Sequence, residues 1–370
     1  MTLNLNKIVA NMLHHRQNAI STGEPISPPI VQASTYKLPD VPEGEYQYGR
    51  VSNPTWSAAE QAIAVLEDAD VVAFPSGMAA ISAVLLTVMR PGDKLLLPSD
   101  GYYVSRLVAQ KILVPMGVLI DECPSLEYDS RDFNDYKLVM VETPSNPKLD
   151  ICDLRAMAAK CQAAGALLMV DNTTMTPLGQ RPLDLGADIV VSADTKALNG
   201  HSDALFGHVA SRNAEFMEGI REWRTISGSI VGAHDAWLVH RGLETLEIRY
   251  ERMCKNAGII AARLETHAAV EAVSYPGLES HAGHDLAKAQ MLAFGTILGV
   301  TFKDQIAAEA FIDGSKYIVA ATSFGGVHTS AERRARWGDD VADSYVRLSL
   351  GIEPTEVLWA DMLNSLDALL

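Results

Sequence analysis

The sequence has no CxxC pair, no HExxH, no GxGxxG or GxxxxGK[ST] turn, and no excess of positive charge. Its four cysteines, Cys123, Cys152, Cys161 and Cys254, are scattered. That spacing argues against a disulfide framework or a zinc ribbon and fits reduced, buried thiols. His281 and His284 can share a helix face, but nothing else in the pattern makes them a ligand set, so no metal is expected. With 30 Lys and Arg against 46 Asp and Glu, the formal charge is −16. So acidic a surface repels a phosphate backbone, and nucleic acid is not an expected partner. Anionic substrates must instead be held by local arginines. No apolar run is long enough for a membrane span, since Gly, Asp or Pro interrupts each candidate. The opening MTLNLNKIVANMLHH lacks the basic region and continuous apolar core of a secretory signal, so a cytoplasmic location is expected. No fixed-period repeat or low-complexity stretch is present, which excludes a solenoid.

What is there is a chain of 370 residues, 48% hydrophobic and 21% charged, long enough for two packed units. Residues 1–45 are Pro-rich and irregular in pattern and read as an extended arm. Residues 46–238 alternate short apolar strands with amphipathic helices. The strands are VVAF, KLLLP, GVLIDE, KLVMVE, ALLMVDN and DIVVSAD; the helices include AAEQAIAVLEDA, GMAAISAVLLTVM, SRLVAQKIL and DLRAMAAKCQAAG. This texture predicts an α/β fold with a mainly parallel, doubly covered sheet. From 239 a long helical stretch, HRGLETLEIRYERMCKNAGIIAARLETH, leads into a smaller α+β unit that runs to residue 370 and ends in a helix.

Ligands of such sheets sit at the carboxyl ends of the strands, so the residues after each strand carry the functional reading. VVAF is followed by Pro75-Ser76-Gly77-Met78, a small-residue turn opening a helix. Free amides and the helix dipole make that turn an anion site, although many βα turns carry Gly and Ser only for packing. The missing glycine fingerprints leave a dinucleotide or nucleoside triphosphate without its main support. ALLMV is followed by Asp171. An acid there either caps the next turn or keeps a pyridine nitrogen protonated. DIVVSAD is followed by Thr195-Lys196 and a small polar loop. A lysine so placed is either solvated or desolvated for Schiff-base chemistry. A phosphate cradle, then an acid, then a lysine on successive strand ends is the order that a pyridoxal-phosphate (PLP) site needs.

Eight segments occur in order: P-x-x-x-Q-A-S-T-Y, Y-G-R-x-x-N-P-T, F-P-S-G-M-A-A, E-T-P-S-N-P, V-D-N-T, T-K-x-x-x-G-H-S-D, S-F-G-G and V-R-L-S-x-G-I-E. With them the chain resembles the Cys/Met-metabolism PLP enzymes from about residue 24 to its end. The resemblance implies a fold-type-I, aspartate-aminotransferase-like architecture and a homotetramer, a dimer of dimers with shared active sites. It implies Lys196 as the covalent anchor of the cofactor, Asp171 on the pyridine nitrogen, and Tyr102 rather than Tyr103 stacked on the ring. It further implies Ser76, Gly77, Met78 and Thr195 on the phosphate, Tyr48 and Arg50 reaching the phosphate of a neighbouring subunit, and Asn146 on the ring hydroxyl side. Arg347, helped by Ser323, would hold the substrate α-carboxylate, which a planar guanidinium fork suits chemically.

Three positions depart from the family pattern. Asp194 stands where a small residue is usual, Ala197 where a bulky one is, and Ala193 where a serine contacts phosphate. In the distal pocket Thr322 and Phe324 match neither the Glu-Ser-Leu of many γ-acting relatives nor the Tyr-Ser-Trp of β-lyases. Among the family, the chain is most like bacterial cystathionine γ-lyases, which implies small sulfur amino acids as substrates. Cystathionine β-lyase, methionine γ-lyase and cystathionine γ-synthase chemistry are the alternatives, and a non-catalytic PLP-binding paralogue is a remote one. Without an acid at 322, recognition of a distal amino group is expected to be loose, with comparable turnover of cystathionine and homocysteine.

Overall fold

The computed structural model describes residues 4–40 and 44–370; residues 1–3 and 41–43 of the expected arm lie outside the described residues. The first sheet is built from β1 (Asp70–Phe74), β2 (Lys94–Pro98), β3 (Leu119–Cys123), β4 (Leu138–Glu142), β5 (Leu167–Asp171), β6 (Ile189–Ser192) and β7 (Gly207–Ser211). Their order is β1-β7-β6-β5-β4-β2-β3. Only β7 runs against its neighbours, pairing antiparallel with both β1 and β6. A second sheet contains β8 (Ala272–Ser274), β9 (Ile297–Thr301), β10 (Val319–Ala320), β11 (Ser330–Arg333) and β12 (Tyr345–Ser349), in the order β10-β11-β12-β9-β8. The helices are α1 (Leu5–Leu13), α2 (Pro54–Glu67), α3 (Gly77–Val88), α4 (Tyr103–Val108), α5 (Leu154–Ala164), α6 (Thr176–Gly179), α7 (Ala214–Ser227), α8 (Ala233–Leu243), α9 (Leu246–Glu265), α10 (His284–Gln290), α11 (Gln305–Gly314) and α12 (Thr355–Asp367).

The period of two along each strand explains why the first sheet is covered on both faces. In β4, Leu138 and Met140 pack with α3 and α7, while Val139 and Val141 pack with α5 on the other side. Toward the β1 edge, α2 and α8 cover that second face around Trp56, Ile63, Leu66 and Leu243. Local chemistry sets the helix starts. Asn53 accepts from the Thr55 amide ahead of Pro54, and Asp153 accepts from the Ala156 amide. Gly165 closes α5 in the left-handed region, at φ 70°.

Two features differ from the reading of the sequence. A helix, α1, lies within the stretch read as irregular, and its Met12 is buried against the α2 cluster. The long helical stretch is two helices, α8 and α9, separated at Glu244–Thr245. Residues 238 and 239, where the second unit is expected to begin, both lie in α8. No helix among the described residues is long and apolar enough to cross a membrane.

Candidate active site

The carboxyl ends of β1, β4, β5 and β6 converge on a cavity of about 350 Å³, whose far wall is supplied by the second sheet. Ser76, Gly77, Met78, Tyr102, Asn146, Asp171, Thr195, Lys196, Thr322, Ser323, Phe324 and Arg347 all line it. The fold thus brings together residues as far apart in sequence as Ser76 and Arg347. Tyr48 and Arg50 do not join them. Tyr48 is 44% exposed, and Arg50 donates to the Thr225 carbonyl at 2.6 Å with its guanidinium 5.5 Å from the Tyr48 ring.

Lys196 stands in the turn after β6. Its Nζ is 2.6 Å from the Ser323 hydroxyl and 4.9 Å from the centre of the Phe324 ring. Ser323 takes φ 78°, a strained conformation for a residue with a side chain. In that conformation its hydroxyl faces Lys196 while its carbonyl accepts from Arg347 at 2.9 Å. Burial, and then the Arg347 charge, pull the Lys196 pKa down to about 8; Asp171 opposes them. Near neutral pH a usable fraction of the amine is therefore unprotonated.

Asp171, the last residue of β5, is buried. It accepts from the Thr173 amide at 3.0 Å and from the Thr173 hydroxyl at 2.5 Å. Beside it in register is Glu142, the last residue of β4, also buried, which accepts from the Tyr102 amide at 2.7 Å. Burial raises the pKa of both acids, and for Glu142 the neighbouring Asp171 charge adds to it. The Thr173 bonds and Lys196 favour the charged form of Asp171, so of the two it is the carboxylate better suited to pair with a cation.

At the opposite end, Ser76 caps α3 by accepting from the Ala79 amide at 3.1 Å. The first-turn amides of Gly77 and Met78 have no carbonyl within the helix to bond. A Cβ on Gly77 would lie 2.5 Å from Ala193 Cβ, so glycine is what allows α3 to start against the lysine turn. The buried Ser192 hydroxyl on the cavity wall has no partner. Thr195 is tied by its hydroxyl to the Phe206 amide at 3.0 Å.

Arg347 lies on β12 with Val346 and Leu348 turned the other way, into the core of the second sheet. It donates to Asn146 Oδ1 at 2.9 Å and to Glu332 at 3.0 Å. Glu332, directly opposite it on β11, is 1% exposed and gathers three guanidiniums. On Oε2 it accepts from Arg334 at 2.8 Å and Arg347; on Oε1 it accepts from Arg336 at 3.1 Å and the Trp337 indole at 2.5 Å. Arg334 and Trp337 also line the cavity. Asp339 holds Arg334 from behind, at 2.7 Å from Nε and 2.6 Å from Nη2.

Glu142, Thr173, Ser192, Arg334 and Trp337 were not anticipated. Glu142 ends an apolar strand just as Asp171 does, so the same rule would have found it. Arg334 and Trp337 follow the short strand β11, paired on both sides, with no pattern to mark them.

The residues present fit PLP: a glycine-opened helix start for phosphate, an unpartnered hydroxyl nearby, a buried carboxylate, and a lysine of lowered pKa. A family model described as Cys/Met metabolism PLP-dependent enzyme matches residues 10–367. A Streptomyces coelicolor protein carrying the provisional name cystathionine gamma-lyase is 44% identical over 93% of this chain and 89% of its own length. A cystathionine beta-lyase of Lactococcus lactis is 37% identical over 98% of this chain and 100% of its own. The crystal structure of cystathionine gamma synthase from Xanthomonas oryzae pv. oryzae in complex with cystathionine superposes with a TM-score of 0.93, at 34% identity and 98% coverage of both chains.

Proposed function

Because this chain belongs to the Cys/Met-metabolism family of PLP-dependent enzymes, we propose that it cleaves L-cystathionine at its γ-carbon–sulfur bond, with water, to cysteine, 2-oxobutyrate and ammonia. The observation that carries the choice of substrate is a pair of guanidiniums, Arg347 and Arg334, on the wall of one cavity. A substrate with two amino-acid ends has a carboxylate for each; methionine and homocysteine have only one.

In this reading Arg347 binds the α-carboxylate and leaves Asn146 and the Ser323 carbonyl to fix its orientation. PLP, when bound, supplies the electron sink that makes a carbanion at the substrate Cα accessible. Asp171 would hold a proton on the pyridine nitrogen, and its two bonds from Thr173 fix its orientation. Lys196, with a pKa near the working pH, takes the Cα proton and handles the proton at Cβ that γ-elimination requires. Tyr102, on the cavity wall, would stack on the ring and would give its phenolic proton to the departing sulfur. Burial raises its pKa, so it enters that step protonated. Thr322 leaves a distal ammonium without a carboxylate, whereas Arg334 offers the distal carboxylate a cation. In this reading Arg334 favours cystathionine over homocysteine, against the comparable turnover expected from Thr322 alone. The reading extends to a cytoplasmic homotetramer in which Tyr48 and Arg50, both at the chain surface, complete the neighbour's phosphate site.

Product analysis of L-cystathionine with PLP-loaded protein tests the reaction. Cysteine with 2-oxobutyrate is expected; homocysteine with pyruvate would transfer the enzyme to the β-lyase branch and overturn the γ assignment.

A further inference from the structure

Asp194, the acid that departs from the family pattern two residues before Lys196, does not line the cavity. Its side chain is fully buried, and both its oxygens face His208 on β7, at 2.8 and 2.9 Å from Nδ1. On the other side of the ring, Nε2 lies 3.3 Å from Glu67, the last residue of α2, itself 2% exposed. A neutral imidazole donates from one nitrogen only, so acids at both nitrogens select the doubly protonated ring. The two carboxylates accordingly raise the His208 pKa to about 10, against a burial that would lower it. One imidazolium thus ties together α2, the reversed strand β7 and the turn that carries the lysine.

We propose that the Glu67–His208–Asp194 triad is a positioning device for Lys196, gripping residue 194 from behind so that the 194–196 turn presents Nζ to the cofactor. Other contacts hold the backbone of the turn, and among the described residues the triad adds the one grip on the side chain of residue 194. Thr195 is bonded to Phe206, and Arg249 donates to the carbonyls of Ala197 and Leu198, each at 3.0 Å. The Asp194 carbonyl accepts from the Asn199 amide at 2.9 Å. The triad also touches the site electrostatically. Asp194 is one of the charges that raise the pKa of Asp171, and a cation held against Asp194 opposes such a charge. Loss of His208 leaves Asp194 and Glu67 as unpaired buried acids and makes Asp171 harder to ionise.

The inference rests on Lys196 holding the cofactor and is independent of which sulfur amino acid is cleaved. Three variants test it: His208→Gln, the uncharged triple replacement Glu67→Leu/Asp194→Ala/His208→Val, and Lys196→Ala. For each, PLP affinity is measured by titration of the visible absorption band, and thermal midpoints are measured with and without PLP. The expectation is that His208→Gln weakens PLP binding by about tenfold, the low end for loss of a supporting partner behind a bound group. Its holo-minus-apo difference in midpoint should shrink accordingly. The triple variant should regain apo stability, because no buried charge is left unpaired, yet still bind PLP more weakly than wild type. A triad that merely stabilised the fold would give a triple variant with wild-type PLP affinity, and that result overturns the proposal even if His208→Gln fails to fold. An equal fall of the apo and holo midpoints in His208→Gln, with PLP affinity unchanged, also overturns it. A Lys196→Ala protein that keeps wild-type PLP affinity and band overturns the lysine assignment and this inference with it.

Discussion

Replacing Arg334 with glutamine separates recognition of the distal carboxylate from every other task of the cavity. Three of its N–H directions are engaged, two by Asp339 and one by Glu332, which leaves two of the five donors of a guanidinium for a ligand. A hydrogen bond to a charged group contributes about 1.5–3 kcal/mol. Loss of one such contact to the distal carboxylate therefore lowers kcat/KM for L-cystathionine about 10- to 100-fold. L-Homocysteine has no second carboxylate and should be turned over as before. The fold should survive, because Glu332 keeps Arg347, Arg336 and Trp337 and is not left unpaired in the interior. Initial rates of 2-oxo acid release, measured for both substrates in wild type and variant, give the selectivity ratio directly. Arg336→Gln is the control, since Arg336 shares Glu332 but is not on the cavity wall. An equal fall for both substrates would refute the reasoning, because Arg334 would then act only through Glu332 on Arg347. If L-cystathionine proves to be cut at the β-carbon instead, L-cysteine replaces L-homocysteine as the truncated substrate and the comparison stands.

Two further outcomes follow from the geometry. In apo protein the folded-state pKa of Lys196 is about 8 against an ordinary 10.5, so between those values the unfolded chain binds more protons than the folded one. The lysine's contribution to stability therefore rises with pH across that window. The thermal midpoint of wild-type apo protein should climb relative to Lys196→Met as pH increases past 8, and a falling difference would contradict the assignment. Gly77→Ala places a Cβ 2.5 Å from Ala193 Cβ and 2.8 Å from its Cα, so either the α3 start or the lysine turn must move. A destabilisation of about 1–3 kcal/mol is expected, together with weaker PLP binding in a cofactor titration. Unchanged affinity would remove the α3 start from the phosphate site.

By itself the sequence determined the elements whose causes are local. Alternating apolar strands and amphipathic helices prescribe the parallel sheet, because a strand buried on both faces and a helix buried on one leave different periods in the chain. The strand-end rule then selects Ser76, Gly77, Asp171 and Lys196, each within a few residues of its strand. Glu142 was equally legible by that rule. Tertiary structure alone decided the rest. The helical pattern runs unbroken through residues 240–267, yet α8 stops at Leu243 and α9 begins at Leu246, and Arg249 of α9 reaches across to hold Gly242, Ala197 and Leu198. Arg334, Glu332 and Trp337 become site residues only because the second sheet packs its β11–β12 face against the strand ends of the first. Asp194 reads as a stray charge beside the lysine until β7 reverses and sets His208 behind it. Periodicity and capping act over a turn or two of chain, whereas the partner of a buried charge is set by which distant strands share a layer.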